Sequence, residues 1–207
     1  IQTLERHTPA LSLVYLPHLD YDHQRFGPHA PRSIEAVAEA DVLVGEIADA
    51  AERVDTAVMV VSEYGIQPVS RPVELNRALR RAGLLSVRQS PVGETLDVFA
   101  SRAFAVVDHQ VAHVYVHDPS DLSRVRELLE RTEGVERVLA GQELAAAGLD
   151  HPRSGDLVVV AAAGSWFSYY FWLDDRLAPD YARTVDIHRK PGYDPVELFF
   201  DPRLRWP

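Results

Sequence analysis

Leu13-Val14-Tyr15-Leu16-Pro17-His18-Leu19-Asp20 and, further on, Val58-Met59-Val60-Val61-Ser62-Glu63-Tyr64-Gly65 are built alike: an apolar run, then a carboxylate. A third stretch, Thr184-Val185-Asp186-Ile187-His188-Arg189-Lys190-Pro191-Gly192-Tyr193-Asp194, delivers an imidazole in the same way. In α/β sheets, ligands gather at the carboxyl ends of strands. Carboxylates and an imidazole brought there from distant segments point to a hydrolytic metal centre.

Working outward from these stretches, Leu11–Leu16 is nearly continuous in apolar residues and reads as a strand buried on both faces. Ser33 can cap a helix running to about Arg53, with Ile34, Val37, Ala38, Val44, Ile47, Ala48, Ala51 and Val54 as its core stripe. Ala57–Ser62 is the next strand, and this order predicts a right-handed parallel crossover. A helix follows over Pro72–Arg81, stopped by Gly83. Short apolar runs at Leu96–Phe99, Ala103–Val107 and His113–Val116 then suggest an antiparallel meander. Asp118 and Pro119 start a helix that runs to about Arg131, Val135–Leu139 returns as a strand, and Leu157–Ala162 and Ser168–Leu173 are further strands. The fold class expected is α/β: a mainly parallel, helix-flanked sheet from residues 1–83 and 148–207, with a smaller α+β insertion at 84–147.

Composition narrows the chemistry. The 207 residues, 46% apolar and 25% charged, suffice for one substantial core. No apolar run approaches the ~18 residues of a membrane span, and no basic region followed by an apolar stretch marks a signal peptide. The absence of cysteine excludes disulfides and thiolate ligands and fits a reducing, cytoplasmic setting. Any metal must therefore be held by Asp, Glu, His or similar donors. A net charge of −10 argues against a nucleic-acid polymer as partner. A small phosphorylated substrate stays open, because local cations can override the global field.

Each candidate residue also has a plain structural alternative. Asp20, Asp22, His18 and His23 fall between Pro17 and Gly27-Pro28, which reads as a loop; its carboxylates could bind a cation or only nearby amides. Glu63 leaves its strand abruptly, either into solvent or toward a cation. His188 could be a ligand, with Arg189 and Lys190 balancing phosphate charge, or part of an ordinary charged loop. His151-Pro152-Arg153-Ser154-Gly155-Asp156 reads first as a turn before a strand. His109, His113 and His117 recur along one strand face, which is more often half-exposed surface than a metal stripe.

Together these segments resemble the type I phosphodiesterase/nucleotide pyrophosphatase family of the alkaline phosphatase superfamily. The shared order is a strand ending in Asp and leading to Gly27-Pro28, a long helix, a Ser-acid-x-Gly segment at Ser62–Gly65, a mixed insertion, the His151–Asp156 turn, and His188 ahead of Gly192-Tyr193-Asp194. The resemblance implies an alkaline-phosphatase-like sheet and metal-dependent hydrolysis of phosphodiester or pyrophosphate bonds. It implies divalent ions, zinc first and manganese or magnesium as alternatives, and a Ser or Thr nucleophile. Residue by residue, Asp20, Glu63 and His188 match as metal ligands, although Arg189-Lys190-Pro191 stands ahead of Gly192-Tyr193-Asp194 where the family's pattern is more compact; Arg189 and Lys190 are candidate phosphate contacts by their charge alone. Two positions depart from the pattern. Alignment on Gly27-Pro28 puts Gln24 where the family carries His, with His23 one residue away, and Tyr64 replaces the His of Ser-Asp-His-Gly. The family's nucleophile and one further Asp ligand precede the first matching segment, so this chain is expected to be part of a longer enzyme and inactive by itself. A degenerate binding or scaffold protein of the same fold is the alternative that Gln24 and Tyr64 favour.

Overall fold

The computed structural model describes residues 1–91 and 93–183. The chain divides into two compact units, Ile1–Pro68 and Val69–Pro207.

The first unit contains α1 (Gln2–His7), α2 (His18–Phe26) and α3 (Pro31–Glu52). Helix α3 starts two residues before the expected cap: Ala30 is extended and Pro31 occupies the first turn, where a missing N–H costs nothing. Ser33 is instead fully buried inside the helix, and its Oγ lies 2.7 Å from the Gly27 carbonyl and 3.1 Å from that of Asp22. That hydroxyl pins the end of α2 to the start of α3. The expected stripe is only partly right. Ala36, Ala50 and Ala51 are buried, whereas Ile34 and Val37 face solvent.

Two corrections concern the apolar runs that opened the sequence reading. Neither Leu11–Leu16 nor Ala57–Ser62 forms a strand among the described residues. Both are exposed, with Leu13 at 88% and Met59 at 86%. Apolar composition tells which segment seeks burial, but a strand exists only where a neighbour takes its N–H and C=O groups. No such neighbour lies among the described residues.

The second unit is strand-rich. Its elements are β1 (Arg71–Val73), α4 (Leu75–Arg81), β2 (Ser86–Ser90), β3 (Gly93–Asp97), β4 (Ala103–Asp108), β5 (Val111–Val116), α5 (Leu122–Glu130), β6 (Val135–Ala140), α6 (Gln142–Ala146), β7 (Leu157–Ala161) and β8 (Ser165–Phe167). Strands β4-β5-β7-β6 form an antiparallel sheet, β2 and β3 an antiparallel hairpin, and β1 pairs with β8 in parallel. Among the described residues the parallel character is thus confined to that one pair, and the mainly parallel sheet is not seen there. The strand expected at Ser168–Leu173 lies earlier, at Ser165–Phe167. Strand β7 pairs with both β5 and β6, so the strands expected within 84–147 close onto residues beyond that range.

Burial explains why β7 is central. Leu157, Val158 and Val159 are all fully buried. Leu157 and Val159 join the main core with Leu75, Leu79, Val125 and Leu129 from α4 and α5, while Val158 packs with Leu139 and Leu144 on the other face. A run apolar on both faces is what such a position needs. At the sheet's edge, Asn76 of α4 substitutes for a missing strand: its Nδ2 donates to Ala105 O at 2.9 Å and its Oδ1 accepts from Ala105 N at 2.8 Å.

The His151–Asp156 segment is the expected turn, and it braces β5. Gly155 N donates to His113 Nδ1 at 3.0 Å, Val116 N to Asp156 Oδ2 at 2.8 Å, and Tyr115 OH to Arg153 O at 2.9 Å. A Cβ at Gly155 would sit 2.6 Å from Val114 N, so only glycine allows this approach. His113 is thereby taken up in structure, His117 Nδ1 meets the Ser101 carbonyl, and His109 sits in the β4–β5 turn at φ 52. The three histidines form no ligand stripe.

Glu94 on β3 is a buried charge of this unit, 1% exposed. It accepts from Arg80 Nη2 at 2.8 Å and Gln89 Nε2 at 2.9 Å. The Arg80 hydrogen bond holds the Glu94 carboxyl below its ordinary range despite burial. A depressed carboxyl pKa stabilises the fold above the unfolded value of ~4.3, and that stability fades as pH falls through the folded value. Urea unfolding of Glu94→Gln is expected to show a loss of about 3 kcal/mol near neutral pH, from stranding Arg80, and a flatter acid limb than the parent. Parallel pH curves would contradict this role.

Candidate active site

The site candidates that can be placed lie in the first unit. The stretch between Pro17 and Gly27, expected to be a loop, is helix α2. Pro17 precedes its first turn, and Gly27, at φ 84, ends it with an N–H donated to His23 O at 2.9 Å. Proline and glycine here are helix boundaries.

Helical geometry puts residues four apart on one face. Asp20 and Gln24 are such a pair, and Gln24 Nε2 donates to Asp20 Oδ1 at 2.7 Å. His23 Nδ1 lies 2.5 Å from the Leu19 carbonyl, a group that can only accept, so Nδ1 carries the proton and is tied to its own helix. Asp22 pairs with Arg32 of α3 at 3.1 Å, which removes it from the candidate donors.

The second motif reaches the same carboxylate. Tyr64 OH donates to Asp20 Oδ1 at 2.9 Å, across 44 residues of sequence. Ser62 Oγ donates to the Tyr64 carbonyl at 2.8 Å, tightening the turn that holds the ring. Asp20, Gln24 and Tyr64 therefore converge, from two separate stretches. Glu63 is exposed beside Tyr64 and close enough for its charge to act on the phenol. His188, Arg189 and Lys190 lie outside the described residues.

The electrostatics follow from these contacts. The hydrogen bond to Asp20, then burial, then the Asp20 charge, push the Tyr64 phenol up to about 12. Tyr64 is thus a neutral donor at ordinary pH. Gln24 is neutral too, so Asp20 keeps its negative charge uncancelled within this trio. Carboxylate oxygens from Asp20 and Glu63 suit a divalent ion. Yet among the described residues no group of three or more His, Asp or Glu side chains gathers to hold one. Two carboxylates are fewer protein donors than such an ion takes, so the described residues alone form no complete metal site.

The sequence model of the type I phosphodiesterase / nucleotide pyrophosphatase family matches residues 2–194. The chain belongs to that family. Within the matched span, the contacts above bring Asp20 and Gln24 together with Tyr64 from the second stretch. No curated protein matches the chain. Among solved structures, phosphonoacetate hydrolase from Sinorhizobium meliloti 1021 in complex with phosphonoacetate is 19% identical, with a TM-score of 0.53. The match covers 77% of this chain and 38% of that one. The same enzyme with phosphonoformate gives 20% identity and a TM-score of 0.51, covering 72% and 36%. These likenesses establish a shared alkaline-phosphatase-like fold, and the chain spans well under half the length of those neighbours.

Elsewhere, a cavity of about 420 Å³ in the second unit is lined by apolar and aromatic residues, among them Leu96, Phe104, Phe171 and Trp172, and carries none of the motif residues. Among the described residues no helix is long and apolar enough to cross a membrane.

The Tyr64–Asp20 bond has a direct readout. A phenol raised above its ordinary value of 10.0 stabilises its fold below that pH and loses the contribution as pH rises toward about 12. Carbon-13 NMR of the tyrosine rings is expected to show Tyr64 ionising above 10, and Asp20→Asn is expected to bring it back toward 10. A Tyr64 titration unmoved by Asp20→Asn would refute the contact.

Proposed function

We propose that the chain is part of a metal-dependent phosphoric-ester hydrolase that acts on a small phosphorylated substrate. The observation that carries this reading is the meeting of the two family motifs at one carboxylate, Asp20, through Gln24 and Tyr64. Asp20, Glu63 and His188 are the proposed metal donors, with zinc first and manganese or magnesium next. Arg189 and Lys190 are proposed to face phosphate oxygens, which would offset the net charge of −10 near an anionic substrate. A divalent ion there would supply Lewis-acid stabilisation and a lowered hydroxyl pKa. This chain's own contribution is to place the carboxylates and hold them in register.

The attacking hydroxyl is assigned to polypeptide outside this chain. Two observations support that assignment. Leu11–Leu16 and Ala57–Ser62 expose large apolar residues along two unpaired extended segments, as strands awaiting neighbours would. The chain also covers only 38% of phosphonoacetate hydrolase. That neighbour's complex with phosphonoacetate supports a substrate of similar size and charge.

A second reading has one observation in its favour. Gln24 and Tyr64 are neutral where the family carries imidazoles, which suits a binding or scaffold protein that kept the fold. Metal content separates the two, since a scaffold holds none.

The test is an assay of the intact protein and of the 207-residue chain on bis-p-nitrophenyl phosphate, with zinc, manganese or magnesium. The intact protein should turn over, and Asp20→Asn should lower kcat/KM by at least about 100-fold. The isolated chain should be inactive, since loss of a nucleophile costs on the order of 10⁶ in rate. Turnover by the isolated chain matching the intact protein, and abolished by His188→Ala, would show that the nucleophile lies within these residues.

A further inference from the structure

The second unit holds a cavity of about 420 Å³ that the hydrolase reading leaves unused. It lies where two sheets part: β3 of the hairpin and β4, the edge strand of the four-stranded sheet, each supply part of its wall. Phe104, Tyr169, Phe171 and Trp172 add aromatic rings to that wall. The fold holds these rings in place. Phe104 stacks on Tyr115 at 5.3 Å, Phe171 meets Trp172 edge-on at 5.3 Å, and the Trp172 indole N–H donates to Asp175 Oδ1 at 3.1 Å. In a chain that is 25% charged, none of the described residues lining the cavity carries a charge. Its polar side chains are engaged within the fold. Asn76 bonds the Ala105 backbone, and the Thr95 hydroxyl lies 3.5 Å from the Arg88 carbonyl.

We propose that this cavity binds a planar, uncharged aromatic small molecule. The inference stands apart from the hydrolase reading and uses none of its residues. Size agrees, since small-molecule sites run from about 300 to 1,000 Å³ and are lined mainly by apolar and aromatic side chains. Charge decides the class of ligand: an ion entering this wall would lose its water and meet no partner. Flat rings gain most, because they stack on or meet edge-on the rings already held there. Walls fixed before binding also lower the ordering cost of association. The β4 edge argues against an extended peptide as occupant. Asn76 takes both Ala105 N and O, and Ala103 N donates to the Leu84 carbonyl at 3.0 Å, so the main-chain groups that an added strand would pair with are used.

The experiment titrates the intact protein with N-phenylnaphthylamine, a neutral fluorescent probe, and with anilinonaphthalene sulfonate, a related skeleton that carries a charge. The neutral probe should saturate a single site per chain, and the sulfonate should bind it at least about 10-fold more weakly, as desolvation of an unpaired anion requires. Val106 lines the cavity and is 47% exposed, so Val106→Trp can fill the space from its open side. That variant should weaken the neutral probe about 10- to 100-fold, the effect of overfilling a packed site. Phe104→Leu, which removes one ring, should weaken it about 3- to 10-fold. Circular dichroism would confirm that both variants are folded. In the unsubstituted protein, intermolecular NOEs from the probe to the Leu96 and Val106 methyl groups should place it independently of any variant. Absence of saturable binding would overturn the proposal. So would unchanged affinity in folded Val106→Trp, or NOEs confined to the exposed Leu13 and Met59. Equal binding of the sulfonate at this site would overturn the assignment to uncharged ligands.

Discussion

A carboxylate left charged inside a cluster of neutral donors is an unusual thing for a chain to build by accident. Asp20 is held at one oxygen by Gln24 from its own helix and by Tyr64 from a turn far along the sequence. In the first unit this is the tie that brings the two family motifs to one place. Ser33 supports it from behind, buried and bonded to the end of α2, so that α2 cannot swing without disturbing α3. A hydrogen bond to a charged group contributes about 1.5–3 kcal/mol, comparable with what one buried side chain adds. The arrangement is thus strong enough to hold the two stretches together.

The same unit carries an opposite signal. Leu13, Val14, Tyr15, Met59, Val60 and Val61 are exposed along extended, unladdered segments. Scattered surface apolar residues are ordinary, but two whole runs are not. The second unit has no such debt: β7 is buried on both faces, α4 and α5 cover the core, and Asn76 satisfies the edge of β4. Among the described residues, the second unit thus buries its apolar runs within its own core, whereas the first unit leaves two of its runs exposed.

Local signals were the legible ones. Asp118-Pro119-Ser120 announces a helix start because the Asp118 carboxylate accepts from Ser120 N at 2.9 Å, a contact that needs three residues and no tertiary partner. Strands β4 to β7 could be read because their alternation or full apolarity matches the layer they occupy. Leu11–Leu16 and Ala57–Ser62 misled for the complementary reason: strand formation depends on a partner that composition does not name. Pro17 and Gly27 were legible as breaks, but a break can end a helix as readily as make a loop, and the four-residue spacing of Asp20 and Gln24 was the available sign of a helix. The approach of Tyr64 to Asp20 lay beyond any local pattern. The resemblance suggested that the two stretches lie together, while the hydrogen bond between them emerged only from the contacts.

Anomalous diffraction from crystals of the intact protein grown with Mn²⁺ or Zn²⁺ tests the account most directly. The proposed function predicts metal within about 2.0–2.2 Å of an Asp20 carboxylate oxygen. Crystals without any metal, or with metal bound only away from Asp20, would contradict it.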